Sequence, residues 1–179
     1  SKTSVLNLML AILYWGGSFQ PASAQALFHF GRSNQDTLPE RFRVSTEALR
    51  EHIYQRIPDH LRNEEYPRST FRFADQASIQ LSYLFTSGEV YSDWSSFENY
   101  LNRILQRVIP KEFTQDSLVR VYLVKNGSFN AYVTPSGMIF LHIGLFDQMP
   151  DEATLAGILC HELAHHHLHH SIEAYVKRE

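Results

Sequence analysis

Two histidines and a glutamate within Cys160 to Ser171 (CHELAHHHLHHS) have the types and the spacing for metal-assisted hydrolysis. His161, Glu162 and His165 fit the pattern H-E-x-x-H, which has chemical meaning only on a helix. Side chains four apart share one helix face and lie about 6 Å apart along the axis, at a rise of about 1.5 Å per residue. Two imidazoles so placed reach one Zn²⁺ at Zn–N distances of about 2.0–2.1 Å. Glu162, next to the first ligand, is badly placed to coordinate and well placed to take a proton from water that the metal activates. The competing reading is a histidine-rich, solvated helix end.

The surrounding elements must hold these three side chains in place. Asp151 and Glu152 suit the positive end of a helix dipole, and Leu155, Ile158, Leu159, Leu163 and Leu168 recur at helical steps as a buried stripe. Cys160 points about 100° away from His161 around such a helix and reads as a small core residue. Three strand-like segments precede it: Leu118 to Lys125, Ala131 to Thr134 and Met138 to Ile143. Asn126-Gly127 and Pro135-Ser136-Gly137 are turn signals between them, so meander hairpins are expected. The implied fold class is α+β, a small antiparallel sheet packed against the H-E-x-x-H helix and further helices.

Nearer the start, Ser45 caps a helix predicted from Thr46 to about Ile57, with Leu49, Ile53 and Ile57 inward and Pro58 as the stop. Leu61 to Arg72, polar and containing Pro67, reads as a loop. Ile79 to Phe85 is a strand or a buried helical turn, and periodicity does not separate the two. Asp93 or Ser95 then caps a helix whose inner stripe is Phe97, Leu101, Ile104, Leu105 and Val108, ending at Pro110. Ser95 with Glu98 has the capping-box spacing.

The 179 residues are 44% hydrophobic and 13% aromatic, enough for one domain with a core. A formal net charge of -3 gives no electrostatic reason to expect a nucleic-acid partner. Residues 1–24 read as a signal peptide: Lys2, the apolar run Val5 to Trp15, and Ala22-Ser23-Ala24 before Gln25. Cleavage is expected after Ala24, which makes the protein secreted or periplasmic; an uncleaved anchor is the alternative. The run is shorter than the roughly 20 residues of a membrane span, so membrane association of the mature part would not use a span. Residues 25–44 read as a leader arm or loop. Cys160 is the only cysteine, which excludes an intramolecular disulfide. The chain lacks an initiator Met and ends in charged, helix-like sequence, and it reads as a fragment at both ends.

Asn130 to Leu145 (NAYVTPSGMIFLHIGL) followed by Leu155 to His170 (LAGILCHELAHHHLHH) resembles the HtpX, BepA and CAAX prenyl endopeptidase group of zinc metallopeptidases. Asn130, Ala131, Tyr132, Pro135, Gly137, Gly144, Leu145, Asp151, Glu152, His161, Glu162, His165 and His170 each match that group's pattern. The resemblance covers about the last fifty residues and none of residues 25–117. It implies a zincin-like domain over residues 45–179, one Zn²⁺ per chain and polypeptide substrates. It also implies a third ligand, a glutamate on a later helix beyond residue 179. Glu173 and His169 lie about 18 Å and 12 Å from His161 along a continuous helix, too far to be that ligand unless the helix breaks after His170. The metzincin pattern fails, because Leu168 and Ser171 stand where it needs glycine and histidine.

These residues imply an exported zinc metalloendopeptidase, with His161 and His165 as ligands and Glu162 as base, and the resemblance to the BepA group implies a role in envelope protein quality control. The fragment itself is expected to be weak or inactive. The other class is a chaperone-like or polypeptide-binding module with a structural or vestigial metal site. His170, on a continuous helix about 140° around from His165, is assigned a supporting role behind the ligands. His166 and His167 read as solvated or packing residues. Asn130 and Ala131 are candidates for lining a peptide-binding strand edge, against the reading that Asn130 caps a turn.

Overall fold

The computed structural model describes residues 45–62 and 67–177. The signal peptide expected over 1–24 and the arm expected over 25–44 lie outside the described residues. Helix α1 (Thr46–Arg56) starts as its sequence requires: the Ser45 side chain accepts the Ala48 N–H at 3.0 Å, and Leu49 and Ile53 are buried. It ends at Ile57, where the following proline disfavours further helix. A single turn, α2 (Asp59–Arg62), follows.

The loop expected over Leu61 to Arg72 is largely helix. Helix α3 (Pro67–Thr86) begins with Pro67 at its first position, where a missing N–H costs nothing, and it absorbs Ile79 to Phe85. Its inward residues are Thr70, Phe73, Ala74, Ser78, Leu81 and Phe85, all buried. Two of those six are hydroxyl residues and one is alanine, so the helical period is weakened in hydrophobicity alone.

Helix α4 (Ser95–Val108) buries Leu101, Ile104 and Leu105 as expected, but neither Asp93 nor Ser95 caps it. Trp94 holds the cap position without a side-chain bond, and its carbonyl accepts the N–H groups of Phe97 and Glu98. Glu98 is buried and does not close a capping box.

The three expected strands form, as β1 (Val121–Val124), β2 (Ala131–Val133) and β3 (Ile139–His142), but the sheet is mixed. Its order is β1-β3-β2. β1 runs parallel to β3 with Val121 opposite Ile139, and β2 is antiparallel to β3 with Ala131 opposite Leu141. The β2–β3 hairpin is as expected; a β1–β2 hairpin at Asn126-Gly127 does not exist. Ser128 N–H instead donates to Asn126 Oδ1 at 2.9 Å, and Gly144 N–H donates to the Asn126 carbonyl at 3.1 Å. These bonds carry the chain past the end of β3. The other side of β1 is taken by an antiparallel bridge between Val90 and Val124.

Both faces of the sheet are covered, as the continuous apolar runs of β1 and β3 demand. Tyr122, Val124, Met138 and Phe140 join the core with α1 and α3. Val121, Leu123, Ile139 and Leu141 pack with α4 and with α5 (Glu152–His167). A final helix, α6 (His170–Val176), packs back on α3 through the buried Ile172. Among the described residues no helix is long and apolar enough to cross a membrane.

Candidate metal centre

Helix α5 carries the centre. Asp151 caps it, its carboxylate accepting both the N–H and the hydroxyl of Thr154 at 2.8 Å. The buried residues Leu155, Ile158, Leu159, Glu162, Leu163 and His166 recur at three- and four-residue steps and face the sheet and α4. His161 is therefore exposed and His165 half-buried, while Glu162 lies beneath them against β2. Two expectations fail here. Cys160 is exposed and is no core residue, because it falls on the outward side of this stripe. Leu168 is 52% exposed, because the helix stops before it.

His161 and His165 turn toward each other, with Nε2 to Nε2 at 3.0 Å and ring centroids 4.6 Å apart. Two nitrogens about 2.0–2.1 Å from one tetrahedral ion lie about 3.3 Å apart, so the pair fits a zinc ion with a few tenths of an ångström of opening. Burial, and then the nearby charge of His161 and His170, holds His165 below the usual histidine range, which favours the neutral, ligating form. Among the described residues no group of three His, Cys, Asp or Glu side chains converges as a metal site.

Glu162 is 6% exposed, and burial pushes its carboxyl up to about 7, against a partial pull downward from the Val133 N–H that donates to it. That bond identifies the free edge of the sheet. The Asn130 carbonyl accepts from His142 N–H and the Thr134 N–H donates to the Met138 carbonyl, so residues 130, 132 and 134 face β3. The main-chain groups of Ala131 and Val133 then face outward, toward α5. Of the two edge candidates, Ala131 presents its backbone to that side and Asn130 is engaged with β3.

The continuous helix assumed for the residues after His165 is broken. Leu168 ends α5, His169 takes the left-handed conformation at φ 54°, and α6 begins at His170. The break brings His170 Nδ1 to 2.7 Å from His165 Nδ1, where an unbroken helix would have turned it away. Glu173 sits within α6 and pairs with Lys177 at 3.4 Å.

His167 is exposed as expected, its ring edge-on to Phe113, but His166 is buried and engaged. Its Nε2 is 2.9 Å from Arg56 Nη1, and burial, then the Arg56 charge, lowers its pKa to about 4. Arg56 also pairs with Asp116. Burial raises the Asp116 carboxyl, but the nearby His52 ring, the bond from the Leu118 N–H and the Arg56 charge outweigh it and leave the group below the usual range. Sequence spacing gives no signal for this cluster, whose members come from three remote segments.

Residues 95–178 match the family model of peptidase family M48. The chain is 32% identical over 74 residues to the mitochondrial metalloendopeptidase OMA1 of Schizosaccharomyces pombe, covering 41% of this chain and 22% of that protein. It is 32% identical over 66 residues to the beta-barrel assembly-enhancing protease of Yersinia pestis, covering 37% of this chain and 14% of the relative. No solved structure gives a significant match. The segment from α4 to α6, with its mixed sheet and H-E-x-x-H helix, is thus similar to peptidase family M48. The family segment starts at Ser95, earlier than the resemblance of the last fifty residues indicates, and so includes α4. The matches span less than a quarter of the length of either relative.

Proposed function

We propose that this chain carries the metal-binding helix and the substrate-binding edge of an exported zinc-dependent endopeptidase that cleaves polypeptides. The observation that carries the reading is the convergence of His161 and His165 at 3.0 Å above a buried Glu162. One Zn²⁺ per chain is held by these two imidazoles and, as the family resemblance implies, by a glutamate beyond residue 179. A bound ion there supplies Lewis-acid polarisation of water and of the scissile carbonyl.

The chain's own residues do the rest. Buried beneath the two histidines, Glu162 takes a proton from water and returns it to the leaving amine. His170 accepts from His165 Nδ1–H and holds that ring with Nε2 toward the metal. An extended peptide adds to the outer edge of β2, using the Ala131 N–H and carbonyl. Main-chain bonding of this kind asks little of the substrate's side chains, which suits protein quality control in the cell envelope. Export rests on the apolar run and the Ala22-Ser23-Ala24 signature of residues 1–24.

The test is cleavage of an unfolded polypeptide by the full-length protein, before and after chelation and after zinc is restored. Loss and recovery of cleavage support the reading. Binding without cleavage under all three conditions would favour the polypeptide-binding module.

A further inference from the structure

We infer that Arg56, anchored by Asp116, is a positioning residue for the metal centre: it grips His166 from behind α5 and so fixes the rotation of the turn that carries His165. The inference deepens the proposed function, since it rests on His161 and His165 being ligands.

Arg56 is the last residue of α1, Asp116 lies in the loop before β1, and His166 lies in the last turn of α5. Arg56 Nη1 is 2.9 Å from His166 Nε2, while Nη2 of the same guanidinium pairs with Asp116. Asp116 is itself fixed, accepting the Leu118 N–H at 2.9 Å and lying 3.6 Å from His52 Nε2. A guanidinium only donates, so His166 Nε2 accepts and its ring proton sits on Nδ1.

Packing closes the remaining sides of the ring. Phe113 lies against it with centroids 5.4 Å apart, and the Arg56 guanidinium stands 5.8 Å from the same Phe113 ring. On the sheet side, Gly137 has φ 91°, and a Cβ there would lie 3.1 Å from His166 Nε2 and 2.8 Å from Val119 Cγ2. The imidazole therefore occupies a slot that a side chain at position 137 would narrow. Gly137 connects β2 to β3, so the slot ties α5 to the hairpin whose edge faces Glu162.

Adjacency makes the grip matter. His165 and His166 share one helical turn, and any rotation that frees the second swings the first by the same angle. An imidazole nitrogen lies roughly 6 Å from a helix axis, so a rotation of about 10° moves it by about 1 Å. Metal–ligand distances tolerate about 0.2 Å. A few degrees at His166 thus decide whether the His161–His165 pair and the His165–His170 contact hold.

The experiment compares R56M, H166L and H166Q in the full-length protein. Two quantities are read: the imidazole ¹⁵N resonances of His161, His165 and His170 without metal, and the zinc Kd by competition with a chromophoric chelator well below the melting temperature. R56M and H166L are expected to move those resonances and to weaken zinc about 10–100-fold, the range found for supporting groups behind metal ligands. H166Q, which keeps an acceptor for Arg56, is expected to bind zinc within about threefold of the unaltered full-length protein, a small fraction of that loss. If R56M does not fold, R56K serves with the same expectation, because one ammonium cannot span Asp116 and His166. Unchanged resonances with only a lowered melting temperature would overturn the inference and leave Arg56 a structural residue. Failure of the unaltered full-length protein to bind zinc would remove the proposed function, and the resonances would still decide the grip.

Discussion

His165 and His170 face each other across a break in the chain, Nδ1 to Nδ1 at 2.7 Å. The left-handed residue His169 makes this possible by ending one helix and starting the next at a new angle. If His165 binds metal through Nε2, its Nδ1 carries the proton and His170 Nδ1 accepts it. His170→Ala is expected to weaken zinc about tenfold, the lower end for groups that orient a ligand. His170→Asn, which restores an acceptor, is expected to recover part of the loss. A competition titration measures both, and unchanged affinity in the alanine variant would deny His170 this role.

Glu162 makes stability depend on pH in the metal-free chain. Its carboxyl is raised from the ordinary 4.5 to about 7 by burial, so the folded state holds the proton more tightly than the unfolded chain does. The associated stabilisation is fully present below pH 4.5 and is lost as the pH rises through about 7. At about 1.4 kcal/mol per unit, the loss is on the order of 3 kcal/mol. Glu162→Gln removes the titration, so the variant should melt above the unaltered chain at pH 8 and converge with it near pH 4.5. Parallel melting curves across that range would mean that the carboxyl is not raised.

Ala131→Pro tests the edge of β2. The Ala131 N–H faces away from β3, so proline removes no bond of the ladder and is tolerated as on any outer edge. Peptide cleavage by the full-length protein should fall about tenfold or more, through the lost hydrogen bond and the ring's bulk, while zinc affinity changes less than about twofold. Equal losses in both would assign the strand to the fold alone.

Gly144→Ala should be among the most damaging single changes. A Cβ at Gly144 would lie 2.0 Å from the Gly127 carbonyl oxygen, a backbone atom that cannot step aside alone. The Asn126-Gly127 turn must move, and Gly144 N–H loses its bond to Asn126. The expected cost is about 3 kcal/mol or more, read from chemical denaturation. A cost under about 1 kcal/mol would mean the turn is loosely held.

Local signals in the sequence give the parts of the fold that local physics builds. Ser45 and Asp151 cap their helices, and the Leu155 to Leu163 stripe sets which side of α5 is buried. The turn at Pro135 to Gly137 makes the β2–β3 hairpin. What escapes is long-range or chemically quiet. The parallel pairing of β1 with β3 depends on Gly144 meeting Asn126, a contact no period reveals. Helix α3 hides behind serine and threonine on its inner stripe and behind a proline that opens a helix as readily as it ends one. The candidate pair His161 and His165 is legible because both histidines stand on one helix four residues apart. Arg56, 110 residues from His166, is not.

The central claim is that Glu162 handles the proton while His161 and His165 hold zinc, and Glu162→Gln in the full-length protein separates the two. Zinc content and peptide hydrolysis are measured on the same preparation. One zinc per chain, with hydrolysis reduced by at least about 100-fold, is the predicted result, because glutamine keeps the shape and removes the base. Undiminished hydrolysis in the glutamine variant would contradict the account.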